Sequence, residues 1–392
     1  MSSTTTRPKR STRPVAAGVV FVLVIVAVGL AAAGRPNNLL IWVFSFLLGG
    51  VLVSGVVSGF MMMPVRAMRI EPRRGRVGEP LLIRYEISNR SRFLPVFDIR
   101  VDEAIGTSGR GVPLESAGHG WILHVGPRER FHAEGVFRPT RRGLVRLEAF
   151  DVSTSFPFGL MRKSLRFTQT GDVLIHPEVK QLRPERMANV TAGGFGGQRL
   201  SRDPGGFDDF FGVREYRPGD SIRTIAWKRL AGTGQLATIE RSRAVPPRVR
   251  VLLDLRTPTA DIRLAEGEDA RALEEQAIVL AASMIALYDR LGYEYALSLA
   301  GVEIPPIALR RGHFHREKIM SALAAINLDL ARTKGNGLAA SDERAVIVAI
   351  HPDRVDLGVA PADAWHFTAR QLDGLVDGRV EDVPERTSGE GA

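Results

Sequence analysis

Two long uncharged segments near the amino terminus constrain this chain more than any other feature. They extend from Val15 to Ala33 and from Leu39 to Met63, and both are mostly apolar. A helix needs about 20 apolar residues to cross a hydrocarbon core about 30 Å thick, so each segment is long enough to span a membrane. Residues 34–38 separate them and contain a glycine and a proline, which favour a turn. The sequence therefore predicts a two-helix transmembrane hairpin over residues 15–63.

Basic residues are concentrated at the two outer ends of this hairpin, whereas the turn between the two segments contains a single basic residue, Arg35. Those at the outer ends are Arg7, Lys9, Arg10, Arg13, Arg66, Arg69, Arg73, Arg74 and Arg76. The positive-inside rule then places both ends in the cytoplasm, so residues 1–14 become a basic cytoplasmic segment of a two-pass inner-membrane protein. A cleaved signal peptide is the alternative for the first segment, but this segment lacks a convincing small-x-small cleavage site before a mature domain, and a second apolar segment follows at once.

The rest of the chain is long enough for two or three soluble domains. It has 392 residues in total, of which 44% are hydrophobic and 24% charged, which is typical of folded domains. The absence of cysteine excludes disulfide scaffolds, thiolate metal sites and cysteine nucleophiles. The net charge of +10 is spread along the chain and partly flanks the apolar segments, which favours contact with anionic membrane lipid over nucleic acid.

Residues 65–179 have the pattern of a β-sandwich. Apolar and polar residues alternate in short runs such as Leu81–Ile87, Phe97–Val101 and Leu144–Phe150. A period of two is typical of strands that bury one face, and turn residues separate these runs without an intervening helical pattern. The sequence predicts an antiparallel sandwich here.

Residues 180–247 form a glycine-rich linker, including 193–197, followed by a dense motif. Pro218 and Gly219 suit the central positions of a type II turn. Asp220 is expected to cap a short helical stretch that begins near Ser221. The charged residues Arg214, Glu215, Arg217, Asp220, Arg223 and Lys228 are expected to form a local ion-pair network, with Tyr216 and Trp227 as buried anchors. A partner-binding surface is the other interpretation, because Arg, Tyr and Trp dominate interface hot spots.

This motif resembles that of the MoxR-associated, von Willebrand factor A-like membrane proteins, also described as domain of unknown function fifty-eight. Their pattern is aromatic-x-Gly-x-Arg-x-Tyr-x-x-Gly-Asp-x-x-Arg-x-Ile-x-Trp. The chain matches it at Phe210, Gly212, Arg214, Tyr216, Gly219, Asp220, Arg223, Ile225 and Trp227. The resemblance extends over the preceding hairpin and sandwich, and therefore over nearly the whole chain.

The resemblance implies an adaptor or assembly factor that works with a MoxR-type AAA+ ATPase and a client that the sequence does not name. The candidate partner-binding residues are Arg214, Tyr216, Arg217, Gly219, Asp220, Arg223, Trp227 and Lys228.

Residues 248–375 have the order of an α/β domain. The segments 250–255, 295–300 and 345–350 are expected to be strands, and 265–291 and 316–328 helices. Buried strands that alternate with helices predict a Rossmann-like parallel sheet. The resemblance makes this a von Willebrand factor A-like domain. Residues 376–392 have the composition of a disordered tail.

A von Willebrand factor A-like domain holds a divalent cation with an Asp-x-Ser-x-Ser loop after its first strand. Asp254 stands at that position here, but Arg256 and Pro258 replace the two serines. Thr257 and Thr259 are each displaced by one residue and are weak candidate ligands, because hard cations need several well-placed oxygens. Arg256 is expected to pair with Asp254 in place of a metal. A Mg²⁺-dependent protein or ligand receptor that uses this degenerate site is therefore the alternative function.

Catalytic motifs are lacking. The chain contains no Gly-x-x-x-x-Gly-Lys-Ser/Thr, His-Glu-x-x-His or Gly-x-Ser-x-Gly segment. An enzyme acting near lipid or peptidoglycan precursors has only the membrane location in its favour. The sequence predicts a protein that is not an enzyme and has no cofactor.

Overall fold

The structure is a computed structural model of a mixed α/β protein. It describes residues 8–34, 37–70, 72, 74–104, 114–187, 200–204, 210–244, 246–333, 345–361 and 364–377. The glycine-rich 193–197 and most of the predicted tail 376–392 lie outside these ranges. The chain divides into two compact units, Met1–Pro177 and Glu178–Ala392.

Both predicted apolar segments are helices, α1 Ala16–Gly34 and α2 Asn38–Met62. Each is long and apolar enough to cross a membrane. Large apolar side chains on α2 are strongly exposed, with Trp42 at 76% and Phe46 at 82%. Such a surface is unfavourable in water and favourable in lipid, so the pair is compatible with membrane anchoring.

The described residues of the first unit also form ten strands in two sheets. The strands are β1 Lys9–Pro14, β2 Val65–Ile70, β3 Arg74–Arg76, β4 Leu81–Asn89, β5 Val96–Ala104, β6 Leu114–Gly118, β7 Gly120–Val125, β8 Arg130–Pro139, β9 Gly143–Thr154 and β10 Met161–His176. One sheet has the order β1-β10-β9-β5-β7, with β3 beside β10, and the other has the order β2-β4-β8-β6. All pairs are antiparallel except β3 with β10.

The alternating pattern of β4 shows why these sequences form sheets. Leu81, Ile83, Tyr85 and Ile87 are buried in the core of the unit, and the residues between them are exposed or half-buried. The last turn of α2 joins the same core, since Met61 and Met62 are also buried there. A helix of 25 residues is about 37 Å long, so its final turns extend beyond a 30 Å hydrocarbon core.

Two details of the basic flanks differ from the sequence-based expectation. Residues 9–14 form strand β1, which pairs with β10 from Lys9↔Arg166 to Pro14↔Met161. Arg69 does not face outward, because its side chain is buried against Glu103. Arg69 therefore does not add to the positive charge that faces the lipid headgroups, although its position after the second apolar segment led us to expect that it would.

Within the part of the second unit that the structure describes, a three-stranded sheet is combined with a five-stranded sheet. Its elements are β11 Leu200–Pro204, β12 Phe210–Glu215, α3 Trp227–Thr233, β13 Ala237–Ala244, β14 Arg248–Asp254, α4 Ala270–Arg290, β15 Glu294–Ala300, β16 Ile307–Arg310, α5 His313–Ala325, β17 Val346–His351, β18 Trp365–Thr368 and α6 Leu372–Asp377. The smaller sheet has the antiparallel order β11-β13-β12.

The larger sheet has the order β16-β15-β14-β17-β18 and is parallel except for β16. The predicted alternation of buried strands and helices is confirmed. The helix predicted to begin at residue 265 instead begins at Ala270, because the Asp269 side chain accepts a hydrogen bond from Ala272 N and caps it there. The helix predicted from residue 316 begins earlier, at His313.

Candidate functional site

The family-like motif begins in β12, at Phe210, and continues through an insertion between the paired strands β12 and β13. Two backbone hydrogen bonds hold the insertion, one at its base from Tyr216 N to Leu236 O at 3.1 Å and one from its middle, from Ala226 N to Ala237 O at 2.8 Å. The predicted turn is present, because Asp220 N donates to Arg217 O at 3.0 Å and Gly219 has a φ of 108°. The motif is thus a structured loop followed by the short helix α3.

Asp220 is the centre of this loop. Its two oxygens accept hydrogen bonds from both terminal nitrogens of Arg214 at 2.8 Å, and one of them also accepts from Arg217 N and Thr238 Oγ1 at 3.0 Å. The bond from Arg214, with help from Arg217 N, lowers the pKa of Asp220 well below its ordinary value. Arg214 and Asp220 therefore join β12, the turn and β13.

Two expectations for this segment were wrong, those for the helix cap and for Trp227, and the expected ion-pair network is present in part. Ser221, not Asp220, caps the following helical turn by accepting from Arg223 N at 3.4 Å. Of the expected ion-pair network, the structure shows the pair between Arg214 and Asp220 at 2.8 Å. Trp227 is not a buried anchor but is 55% exposed, and Tyr216 is half-buried.

The loop instead presents side chains to solvent. Ile222 is 70% exposed, and Arg217, Arg223 and Lys228 are exposed as well. We call Arg217, Ile222, Arg223, Trp227 and Lys228 the Trp227 segment. An aromatic and an aliphatic side chain among cations, held on a hydrogen-bonded loop, have the composition of a protein-binding surface.

The second candidate site lies at the carboxyl edge of the parallel sheet. After β14 the chain continues through α4 to β15 on one side, whereas β17 pairs with the other side of β14. The strand order therefore reverses between β14 and β17, and ligands of open α/β sheets bind outside the strands at such a point. Asp254 ends β14 and His351 ends β17.

Donors occupy both oxygens of Asp254. Arg256 contacts one of them through Nε at 3.0 Å and through its backbone N at 3.2 Å, which confirms the expected pairing. His351 Nδ1 lies 3.2 Å from the other oxygen. Burial raises the pKa of Asp254, but the hydrogen bonds from His351 and Arg256 outweigh it and lower the pKa to about 2.

A chain of hydrogen bonds extends from this carboxylate in two directions. His351 Nε2 lies 3.0 Å from His366 Nδ1 in β18, and both rings are buried. Burial, with the neighbouring His351, lowers the pKa of His366 and keeps its imidazole neutral at pH 7. On the other side, Arg256 pairs with Asp356 at 2.6 Å. The cluster thus joins three neighbouring strands, β14, β17 and β18.

Of the weak candidate metal ligands, Thr259 donates to Glu274 Oε2 at 3.0 Å, and Glu274 is fully buried on α4. Thr257 is half-buried. The described residues contain no group of three His, Asp or Glu side chains arranged to hold a metal ion. The guanidinium of Arg256 neutralises the Asp254 carboxylate, as a bound metal ion would in a metal-binding loop.

Sequence reasoning missed His351 and His366. The signal for His351 was present, because it directly follows a predicted buried strand and carboxyl ends of parallel strands meet at one edge. His366 offered no such signal, since the short strand β18 was not predicted.

Comparison with known proteins gives little further guidance. No protein-family model matches the sequence, and no curated protein matches it. The CARDB domain of PF1109 from Pyrococcus furiosus is 13% identical over 29% of this chain and 94% of that domain, with a TM-score of 0.18. The native conformation of E. coli alpha-2-macroglobulin is 15% identical over 29% of this chain and 7% of that protein, with a TM-score of 0.20.

Proposed function

We propose that this chain is a membrane-anchored adaptor without enzymatic activity, whose Trp227 segment binds a MoxR-type AAA+ ATPase or its client. The observation that carries the proposal is the exposure of Ile222 and Trp227, at 70% and 55%, on a loop fixed by the Arg214–Asp220 pair. A fixed loop loses little entropy on binding, and desolvating a Trp and an Ile at the centre of an interface is strongly favourable.

The proposed family and location support the proposal that the chain is an adaptor for an ATPase. A doubly wound sheet with an acid at the end of its central strand suits a von Willebrand factor A-like domain of the MoxR-associated family. The proposed location is the inner membrane, with both units on the cytoplasmic side, where an ATPase is accessible. This orientation rests on the basic residues at the outer ends of α1 and α2.

The test measures binding of the full chain, in lipid nanodiscs, to a MoxR-type ATPase from the same cell. We expect Trp227→Ala to weaken binding by about 30-fold, because truncation of a hot-spot side chain costs about 2 kcal/mol or more. Ile222→Ala is expected to weaken it by a smaller factor. Both side chains are exposed rather than part of a core, so both variants should keep a melting temperature close to that of the wild type.

Phe314→Ala is the matched control, since Phe314 is an 89% exposed aromatic residue on α5, outside the motif. It should bind as the wild type does. The proposal fails if the wild type shows no affinity for the ATPase, or if Trp227→Ala binds as tightly as Phe314→Ala.

The alternative is a Mg²⁺-dependent receptor that uses Asp254, Thr257 and Thr259. It is disfavoured by the Arg256 guanidinium on Asp254 and by the bond between Thr259 and Glu274. A rise in the melting temperature of the wild type on addition of Mg²⁺, with loss of that rise in Asp254→Asn, would favour the receptor instead.

A further inference from the structure

One end of the β-sandwich is attached to both apolar helices. Strand β1 ends at Pro14, just before α1, and β2 begins at Val65, just after α2. The loop after β9 lies at the same place, because Val15 N donates to Leu160 O at 3.1 Å. The loop after β4 does too, since Arg90 N donates to Pro64 O at 3.1 Å. We call these two loops, residues 89–95 and 155–160, the helix-proximal end.

Apolar side chains protrude from both loops of the helix-proximal end. Phe93 is 81% exposed and Leu94 48% in the first loop, and Phe158 is 58% exposed in the second. Phe93 and Leu94 are preceded by exposed Arg90 and Arg92. Aromatic rings with adjacent cations are the side chains that occupy the interface between hydrocarbon and headgroups.

A basic cleft lies beside these loops. It has a volume of about 440 Å³ and is lined by Val15, Arg100, Arg162 and four residues of the second loop, Ser155, Phe156, Pro157 and Gly159. Arg13 is the cross-strand neighbour of Arg162 and adds a further exposed cation. Asp98 also lines the cleft, where it accepts from Trp121 Nε1 at 3.0 Å and lies 3.8 Å from Arg100 Nε. Cations therefore outnumber carboxylates around the cleft.

The position of the cleft relative to α1 and α2 indicates which kind of partner binds there. Val15 lines the cleft and immediately precedes α1. Lys163, the neighbour of Arg162 in β10, donates from Nζ to Gly55 O about two turns before the end of α2. With α1 and α2 across a bilayer, this cleft is therefore at the depth of the phosphates, where each cation interacts favourably with acidic lipid.

We propose that the helix-proximal end docks into the headgroup layer of an acidic bilayer. Phe93, Leu94 and Phe158 insert into the interface, and the cleft between Arg100 and Arg162 binds the phosphate of an anionic phospholipid. The sandwich then has a fixed orientation on the membrane. This inference depends on insertion of α1 and α2 and not on the ATPase proposed above.

The depth of the loops is tested with single cysteines, because the chain contains none. The full chain is reconstituted in nanodiscs containing phosphatidylglycerol, and Phe93→Cys and Phe158→Cys are spin-labelled. Their labels should be accessible to oxygen and shielded from a water-soluble nickel complex. The control is Leu82→Cys, a 53% exposed apolar position at the opposite end of β4, whose label should be accessible to nickel. Equal nickel accessibility at all three positions would overturn the proposal.

The cleft is tested by lipid selectivity in proteoliposomes. We expect Arg100→Gln/Arg162→Gln to lower the preference for spin-labelled phosphatidylglycerol over phosphatidylcholine by about fivefold for each charge removed. The control pair Arg138→Gln/Arg141→Gln removes two exposed cations from the opposite end of the sandwich and should leave the preference unchanged. An unchanged preference in the cleft variant, or an equal loss in the control pair, would overturn headgroup binding. Loss of ATPase binding in the Trp227 experiment would not affect either result.

Discussion

At the scale of single residues, a buried ion pair organises the core of the sandwich. The side chains of Arg69 and Glu103 form an ion pair and are both fully buried. Tyr85 Oη donates to the other oxygen of Glu103 at 2.7 Å, and Arg69 also donates to the carbonyls of Leu147 and Gln169. Burial and the adjacent Glu103 carboxylate raise the pKa of Tyr85 far above its ordinary value, so it stays a donor.

Removing one member of this pair should be costly. We expect Arg69→Met to destabilise the sandwich by about 3–5 kcal/mol, because Glu103 stays buried without its cation. Arg69→Met/Glu103→Leu should recover most of that loss, since no charge is then buried. Hydrogen exchange of peptides from β4 and β9 in the full chain measures the change. The control is Arg84→Met at the exposed pair with Glu134, which should cost less than about 1 kcal/mol. Equal losses at the two sites would contradict the argument.

A comparison of the Arg69–Glu103 pair with the Arg214–Asp220 pair shows which side-chain contacts can be predicted from a sequence. Arg214 and Asp220 are six positions apart, so composition and turn chemistry suffice to predict that they meet. Glu103 is 34 positions from Arg69, and His351 is 97 from Asp254. Such contacts depend on strand order, which local patterns do not specify. The exposure of Trp227 was missed for the same reason, because nothing local determines what covers an aromatic side chain.

At the scale of elements, Asp254 and His351 join the carboxyl ends of β14 and β17, and His366 in β18 extends this cluster through its contact with His351. The folded-state pKa of Asp254 is lowered from 3.8 to about 2, so its ionised form stabilises the fold. This contribution is present above the unfolded pKa near 4 and is lost as the pH falls toward 2. Its size is about 2 kcal/mol by linkage.

Asp254→Asn should therefore flatten the acid dependence of this unit. In the wild type, unfolding by urea should become easier between pH 4 and pH 2, and the variant should show a change smaller by about 2 kcal/mol. The reporter is the fluorescence of Trp365, which is buried in β18, after the other tryptophans are replaced by phenylalanine. Asp261→Asn, at an exposed carboxylate near the end of the same loop, should keep the wild-type acid dependence. An identical pH dependence in Asp254→Asn and the wild type would contradict the role of this cluster.

Elements with a strong internal pattern were predictable, and those defined by a distant partner were not. The hydrophobic lengths of α1 and α2 and the period of β4 were sufficient to place them. Strand β1 is different, because it consists of Lys, Arg, Ser, Thr and Pro and all its residues are exposed. It is a strand because β10, about 150 positions later in sequence, offers it an edge, and an edge strand does not need an apolar face.

At the scale of the whole first unit, the strands on either side of the helices determine the membrane topology. Strand β1 precedes α1 and pairs in one sheet of the sandwich, whereas β2 follows α2 and pairs in the other. Both ends of the helical pair therefore belong to one sandwich, which lies on one side of any membrane. Two crossings return the chain to the side from which it started, whereas a single crossing would separate β1 from its partner β10.

This topology, together with the positive-inside rule, predicts a specific labelling pattern. With an impermeant maleimide applied to intact spheroplasts, Asn38→Cys at the start of α2 should be labelled and Leu82→Cys on β4 should be protected. Disruption of the membrane should expose Leu82→Cys. The reverse pattern would place the sandwich outside the cell and remove it from any cytoplasmic ATPase, although β1 and β10 would still share a side. Labelling of both positions in intact spheroplasts would show that the helices do not cross, and the headgroup docking proposed for Phe93 and Phe158 would then lose its basis.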